Sequence, residues 1–156
     1  MKHLFKRSIA LLCVLAMLLT IAPLSVFAAE ETDNEFVVLS TTDMHGRVWD
    51  KNVLNDTNMS NSMLNVATAV KEIRASYDNV ILLDNGDTYQ GTPVSSYQLS
   101  LQKQGLTELP NPMALSLKEI GYDAFVPGNH EFNFEWDNMR GVYQWLEENG
   151  VPVLAA

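Results

Sequence analysis

Three short polar clusters hold the side chains best suited to chemistry: Asp43-Met44-His45-Gly46, Asp84-Asn85-Gly86-Asp87 and Gly128-Asn129-His130-Glu131. Asp43 and His45, two positions apart, can reach one ion from an extended or turning backbone. Asp87 adds a second carboxylate and Asn129 a neutral amide oxygen. A donor set of oxygen and nitrogen without thiolate suits Mn, Fe, Zn, Co or Mg rather than a structural zinc site. Two divalent metal ions held ~3.5–4 Å apart by a bridging carboxylate would activate a water and neutralise a phosphoryl group during in-line displacement. Each cluster alone also has a plainer reading. Asp-x-His can be a turn or a cap, Asn-Gly-Asp an ordinary turn, and Gly-Asn-His-Glu a polar helix start with Glu131 favourable in the first turn.

The elements around the clusters favour convergence. Glu35 to Ser40 (EFVVLS), Asn79 to Asp84 (NVILLD), Asp123 to Val126 and Val151 to Leu154 read as short buried strands. Ser62 to Tyr77 carries Met63, Val66, Ala67, Val70, Ile73 and Tyr77 at helical spacing, with Ser60 or Asn61 as its cap. Asn111-Pro112 opens a second helix that continues through Leu117 and Ile120 and stops at Gly121. A third spans Glu135 to Asn149, with Trp136, Met139, Tyr143 and Leu146 on one side. Asn52 to Asn61 and Gln102 to Pro112 read as polar loops. This alternation predicts an α/β fold with a mainly parallel sheet and flanking helices. Parallel strands present their carboxyl ends at one edge, where α/β folds place ligands. Clusters about forty residues apart in sequence would therefore meet in space.

Residues 1–29 stand apart from this domain. Lys2, Lys6 and Arg7 precede an apolar run from Ile9 to Leu24, and Val26-Phe27-Ala28 has a small-x-small cleavage pattern, which together read as a secretory signal peptide. The apolar run is short for a bilayer span of about 20 residues and contains Pro23, which disfavours a permanent anchor. Cys13, the single cysteine of the 156 residues, would leave with the signal. So would three of the 10 Lys and Arg, leaving seven against 19 Asp and Glu. That balance opposes binding of a nucleic-acid polymer, which needs a basic surface to displace counterions. It leaves open a phosphorylated small molecule, because metal ions supply positive charge locally. Residues 30–156 are expected to form one domain that is secreted, cell-wall associated or periplasmic, without stable membrane association after cleavage.

Together, TTDMHG, DNGDTYQG and GNHEF resemble the first three motifs of the calcineurin-like metallophosphoesterases, specifically the secreted 5′-nucleotidase and 2′,3′-cyclic-nucleotide phosphodiesterase family. The resemblance implies that residues 30–156 form the N-terminal part of a four-layer α/β/β/α domain, truncated before its end and lacking the C-terminal substrate domain. It implies a metal-dependent hydrolase of nucleotide esters acting through a metal-bridging hydroxide. Asp43, His45 and Asp87 would hold one ion, Asp87 would bridge to a second, Asn129 would bind that second ion, and His130 would contact the phosphoryl group. Many 5′-nucleotidases of the family carry aspartate three residues after the catalytic histidine, where this chain has Asn133. GNHEFN with TTDMHG therefore resembles the cyclic-nucleotide phosphodiesterase branch, with 5′-nucleotidase or UDP-sugar hydrolase as the alternative. The histidines are His3, His45 and His130, so the family's later Gly-His and Gly-His-x-His ligands have no counterpart in this chain. A catalytically inactive fragment, at most a metal-binding module, is the reading of another class. Trp49 and Tyr89 read as packing or rim aromatics rather than base-stacking groups, and Arg47 as a phosphate contact or an exposed loop arginine.

Overall fold

The computed structural model describes residues 35–155; the expected signal segment lies outside the described residues. Three parallel strands, β1 (Val37–Thr41), β2 (Val80–Asp84) and β3 (Ala124–Phe125), form a sheet in the order β1-β2-β3. Val37 pairs with Val80 and Thr41 with Asp84, so the last residues of β1 and β2 end level at one edge. Between the strands lie α1 (Met63–Arg74), α2 (Pro93–Lys103) and α3 (Pro112–Ile120). A 3₁₀ turn, His130–Phe134, and α4 (Trp136–Glu148) follow β3.

Each connection steps across the sheet in the same direction. Right-handed crossovers then place all the helices on one face. That face carries Leu39, Leu82 and Phe125, packed with Met63, Met113, Leu117, Met139 and Leu146 from the helices. The Phe125 ring lies 5.2 Å from Tyr89 and 5.8 Å from Tyr143, centroid to centroid. On the opposite face Phe36 and Val38 are 65% and 61% exposed. Among the described residues no further layer covers this side, and no helix is long and apolar enough to cross a membrane.

Several boundaries differ from the sequence expectation for local reasons. Ser62, not Ser60 or Asn61, caps α1: its hydroxyl accepts from the Asn65 amide while Asn65 Oδ1 accepts from the Ser62 N–H, a reciprocal capping box. The helix stops at Arg74, whose guanidinium turns to donate to the carbonyls of Ile120 and Gly121, both at 2.6 Å. Those bonds satisfy carbonyls that the C-terminus of α3 leaves without helical partners. Gly121, at φ 79°, ends α3 as expected, and Asn111 accepts from the Met113 amide as its cap. Helix α2 occupies residues read as loop at Gln102 and Lys103 and unassigned before them; Thr92 and Pro93 mark its start. On α4 the packed side holds Met139, Val142 and Leu146, whereas Trp136 is 60% exposed. The expected fourth strand is reduced to one parallel bridge, Phe125 to Val153, because Pro152 can accept from Phe125 but has no N–H of its own.

Candidate metal centre

The loops leaving β1 and β2 run side by side beyond the sheet edge and are laced together. The amide N–H groups of Asp43, His45 and Gly46 donate to the carbonyls of Gly86, Asp87 and Thr88, at 3.0, 2.9 and 2.7 Å. This extension of the ladder brings the ligand atoms of Asp43, His45 and Asp87 within 4.8 Å of one another. All three residues adopt left-handed backbone angles, φ 56°, 49° and 56°; Asp56 and Glu135 are the other non-glycine cases among the described residues. Left-handed geometry costs a β-carbon-bearing residue about 1–2 kcal/mol, so strain is concentrated where the donor side chains converge.

The imidazole of His45 is oriented for coordination. Its Nδ1 lies 2.9 Å from the carbonyl of Gln90, which can only accept, so Nδ1 carries the proton. In its neutral form the ring presents the Nε2 lone pair toward Asp43, 3.6 Å away. A second hydrogen bond of this kind fixes the tautomer of metal-binding histidines. Two carboxylates and this Nε2 form a hard, mixed donor set that fits a divalent ion. Arg47 is not an exposed loop side chain. It is half-buried and donates to the carbonyls of Asn61 and Asp43, bracing the first loop.

A second tier holds the loops from beneath. Glu131, 0% exposed, accepts four backbone N–H bonds: from Thr88 and Tyr89 at one oxygen (2.6 and 3.1 Å), and from Asp87 and Gly128 at the other (2.8 and 2.6 Å). One carboxylate thus ties the Asp87 loop to the Asn129 loop. From its neighbours in sequence Glu131 reads only as a favourable first-turn charge; no local signal distinguishes that from a buried clasp. Gly86 and Gly128 allow the close approach. A methyl group on Gly86 would collide with the Gly128 backbone, and one on Gly128 with the Asp87 carboxylate.

Asp84, the last residue of β2, is also fully buried. Thr41 and Thr88 hydroxyls donate to its two oxygens at 2.6 and 2.5 Å, and the Gly86 N–H donates at 3.0 Å. Because Thr41 spends its proton on Asp84, its oxygen accepts from the Tyr122 hydroxyl at 2.9 Å. Burial pushes the Asp84 carboxyl above 3.8 despite those hydrogen bonds, which pull the other way, and burial pushes the Tyr122 hydroxyl up to about 12. The folded protein therefore takes up a proton on Asp84 at higher pH than the unfolded chain does. The contribution of Asp84 to stability rises as pH falls through its raised value and is complete below 3.8. Asp84→Asn lacks this gain, so its cost relative to the parent should grow on acidification from about pH 7 to about pH 4. Urea denaturation of both chains across that range measures the difference; a constant cost would show that native Asp84 titrates normally.

The third cluster lies beside the first two and is held less tightly. Asn129 is exposed and leads into the 3₁₀ turn, and the next amide, of His130, donates to Asp87 Oδ1 at 2.8 Å. The His130 ring stands edge-on to His45, centroids 5.1 Å apart. Asn133 Nδ2 lies 2.9 Å from His130 Nδ1. An amide nitrogen only donates, so with Asn133 in this orientation Nδ1 accepts and a neutral ring carries its proton on Nε2. Tyr89 lies in the core with its hydroxyl buried and without a hydrogen-bond partner, whereas Trp49 is half exposed.

Known proteins resemble this chain in sequence and fold. The calcineurin-like phosphoesterase family matches residues 36–155. A 2′,3′-cyclic-nucleotide 2′-phosphodiesterase/3′-nucleotidase of Haemophilus influenzae is 32% identical over 109 residues, 69% of this chain and 16% of that protein. A 5′-nucleotidase of Vibrio vulnificus is 32% identical over 128 residues, 82% of this chain and 21% of that one. The crystal structure of the calcineurin-like phosphoesterase YfkN from Bacillus subtilis superimposes with a TM-score of 0.65 at 28% identity, covering 76% of this chain and 36% of that one. The chain thus spans a minor part of each relative's length. With the family match running through all three polar clusters and the parallel sheet that carries them, the chain belongs to the calcineurin-like phosphoesterase family.

Proposed function

We propose that this chain is the N-terminal part of a two-metal hydrolase of nucleotide phosphoesters, of the 2′,3′-cyclic-nucleotide phosphodiesterase type. The observation that carries the reading is the convergence of Asp43, His45 and Asp87 at the carboxyl edge of the sheet. Asp43, His45 and Asp87 would hold one divalent ion, and Asp87 with Asn129 would contribute to a second. When bound, such ions supply Lewis acidity and an activated water. The role of His130 follows from its tautomer: with the proton on Nε2, it donates a hydrogen bond to a phosphoryl or leaving-group oxygen. A carboxylate at position 133 would accept from Nδ1 and favour the imidazolium; the amide of Asn133 donates instead. That difference supports a cyclic diester over a monoester. Residues 1–29 would direct export, and residues 30–156 would act outside the cytoplasm.

A second reading rests on the histidine count. His45 and His130 are the only histidines after the proposed signal, so the chain by itself would hold metal without turning over substrate. The purified chain, reconstituted with Mn²⁺ and assayed on 2′,3′-cyclic AMP, 5′-AMP and UDP-glucose, tests both readings. Turnover fastest on the cyclic diester and abolished in His130→Ala is the expected result. Metal retained through dialysis without turnover supports the second reading, and a preference for 5′-AMP overturns the choice of substrate.

A further inference from the structure

Thr88 spends each of its polar groups on a different segment of the chain. It is fully buried and directly follows Asp87, where the loop leaves β2. Its N–H donates to Glu131 at 2.6 Å, its carbonyl accepts from the Gly46 N–H at 2.7 Å, and its hydroxyl donates to Asp84 Oδ1 at 2.5 Å. The first two bonds belong to the backbone and are open to any side chain; the third belongs to the hydroxyl. Asp84 Oδ1 also accepts from the Gly86 N–H at 3.0 Å, so one oxygen grips the chain on both sides of Asp87. Its other oxygen accepts from Thr41, the last residue of β1 and two positions before Asp43. The loops that carry Asp43 and Asp87 are thus referred to a single buried carboxylate, and Thr88 supplies the side-chain link of the second loop to it.

We propose that Thr88 is a positioning residue for the metal centre: its hydroxyl, through Asp84, holds the Asp87 carboxylate at the spacing from Asp43 and His45 that a divalent ion needs. The proposal rests on the metal-dependent reading of the centre. Asp87 sits in left-handed backbone at φ 56°, which persists in a residue bearing a β-carbon only where the surroundings over-determine it. Gly86 before it, at φ 87°, supplies no restraint of its own, because glycine takes positive and negative φ with similar ease. Hydrogen bonds have to supply it, and the Thr88 hydroxyl closes the turn from Asp84 across Asp87. Asp87 has little room to adjust, since its Oδ1 also accepts from the His130 N–H at 2.8 Å. Hydrogen bonds one step removed from a metal ligand change affinity by about 10–100-fold. Glu131 and the bonds to the first loop still hold the backbone when the hydroxyl is lost, which places the effect at the lower end.

Three variants of the full chain test the role: Thr88→Val and Thr88→Ala remove the hydroxyl, and Thr88→Ser keeps it. Mn²⁺ affinity is measured by calorimetry under conditions where circular dichroism shows each chain folded. Lost stability alone leaves the affinity of a fully folded chain unchanged, so this readout separates positioning from mere support. Thr88→Val and Thr88→Ala should each bind Mn²⁺ about tenfold more weakly than the parent, and Thr88→Ser should stay within about threefold of it. Co²⁺ gives a second readout, because its visible absorption follows ligand geometry: the hydroxyl-free variants should shift the bands and Thr88→Ser should reproduce those of the parent. If valine crowds Asp84 and prevents folding, alanine carries the comparison. Parent-like Mn²⁺ affinity and Co²⁺ bands in folded Thr88→Ala, an equal loss in Thr88→Ser, or failure of both hydroxyl-free chains to fold overturns the positioning role and leaves the metal reading standing. A parent chain that binds neither ion overturns the metal reading and the proposal with it.

Discussion

Glu131→Ala should remove most or all of the stability of the folded domain. The side chain is fully buried and accepts four backbone N–H bonds from two separate loops. Leaving a buried donor without a partner costs about 1–3 kcal/mol. Four such losses approach the whole stability of a typical domain, about 5–15 kcal/mol. Glu131→Gln keeps the shape and one acceptor oxygen but turns an NH₂ toward two of the donors, so it should fall between the alanine variant and the parent. Urea denaturation followed by circular dichroism ranks the three chains. A loss below about 1 kcal/mol in Glu131→Ala would mean that water replaces the carboxylate and that the clasp is dispensable.

Asp87→Asn should weaken divalent-metal binding by more than about 100-fold while leaving the fold intact. Losing a supporting hydrogen bond around a metal ligand already costs about 10–100-fold in affinity, and this variant removes a charge in direct reach of the ion. The fold survives because asparagine keeps an acceptor oxygen for the His130 N–H, which donates to Asp87 at 2.8 Å. Mn²⁺ calorimetry gives the affinity, and melting with and without a chelator gives an independent measure. Metal at a hundred times its dissociation constant stabilises the native state by about 2.7 kcal/mol, so the parent should melt higher in Mn²⁺ and lose the gain on chelation. The variant should melt at one temperature in both. Parent-like affinity in Asp87→Asn would remove Asp87 from the ligand set.

The parts of the fold legible in the sequence are those governed by neighbouring residues. β1 and β2 follow from short β-branched runs, α3 from Asn111-Pro112 at its start and Gly121 at its end, and each ends within a residue or two of its expected boundary. At the end of α1, where the expectation missed, a distant partner decided. The last turn expected of α1 gives way to Arg74 reaching across to the carbonyls of Ile120 and Gly121. Helix α2 has few apolar positions on one side, with Ser95 as its one fully buried residue, so its periodicity is weak and its start signals at Thr92 and Pro93 were the only cue.

For the site, sequence by itself determined the inventory of candidate site residues and its order along the chain: Asp43, His45, Asp87, Asn129 and His130, each after a strand-like run. Residue type and spacing limit which ions can be bound, and both are local properties. The tertiary structure alone decided how those donors are held. The left-handed backbone at Asp43, His45 and Asp87, the tautomers imposed on His45 by Gln90 and on His130 by Asn133, and the closing of residues 50–59 into a hairpin all depend on hydrogen bonds not announced by local spacing. Glu131 shows the limit most sharply, because a glutamate that cages four amides and one that only favours a helix start are written with the same letter. What separates them is the approach of Asp87, Thr88, Tyr89 and Gly128 from opposite sides of a buried carboxylate.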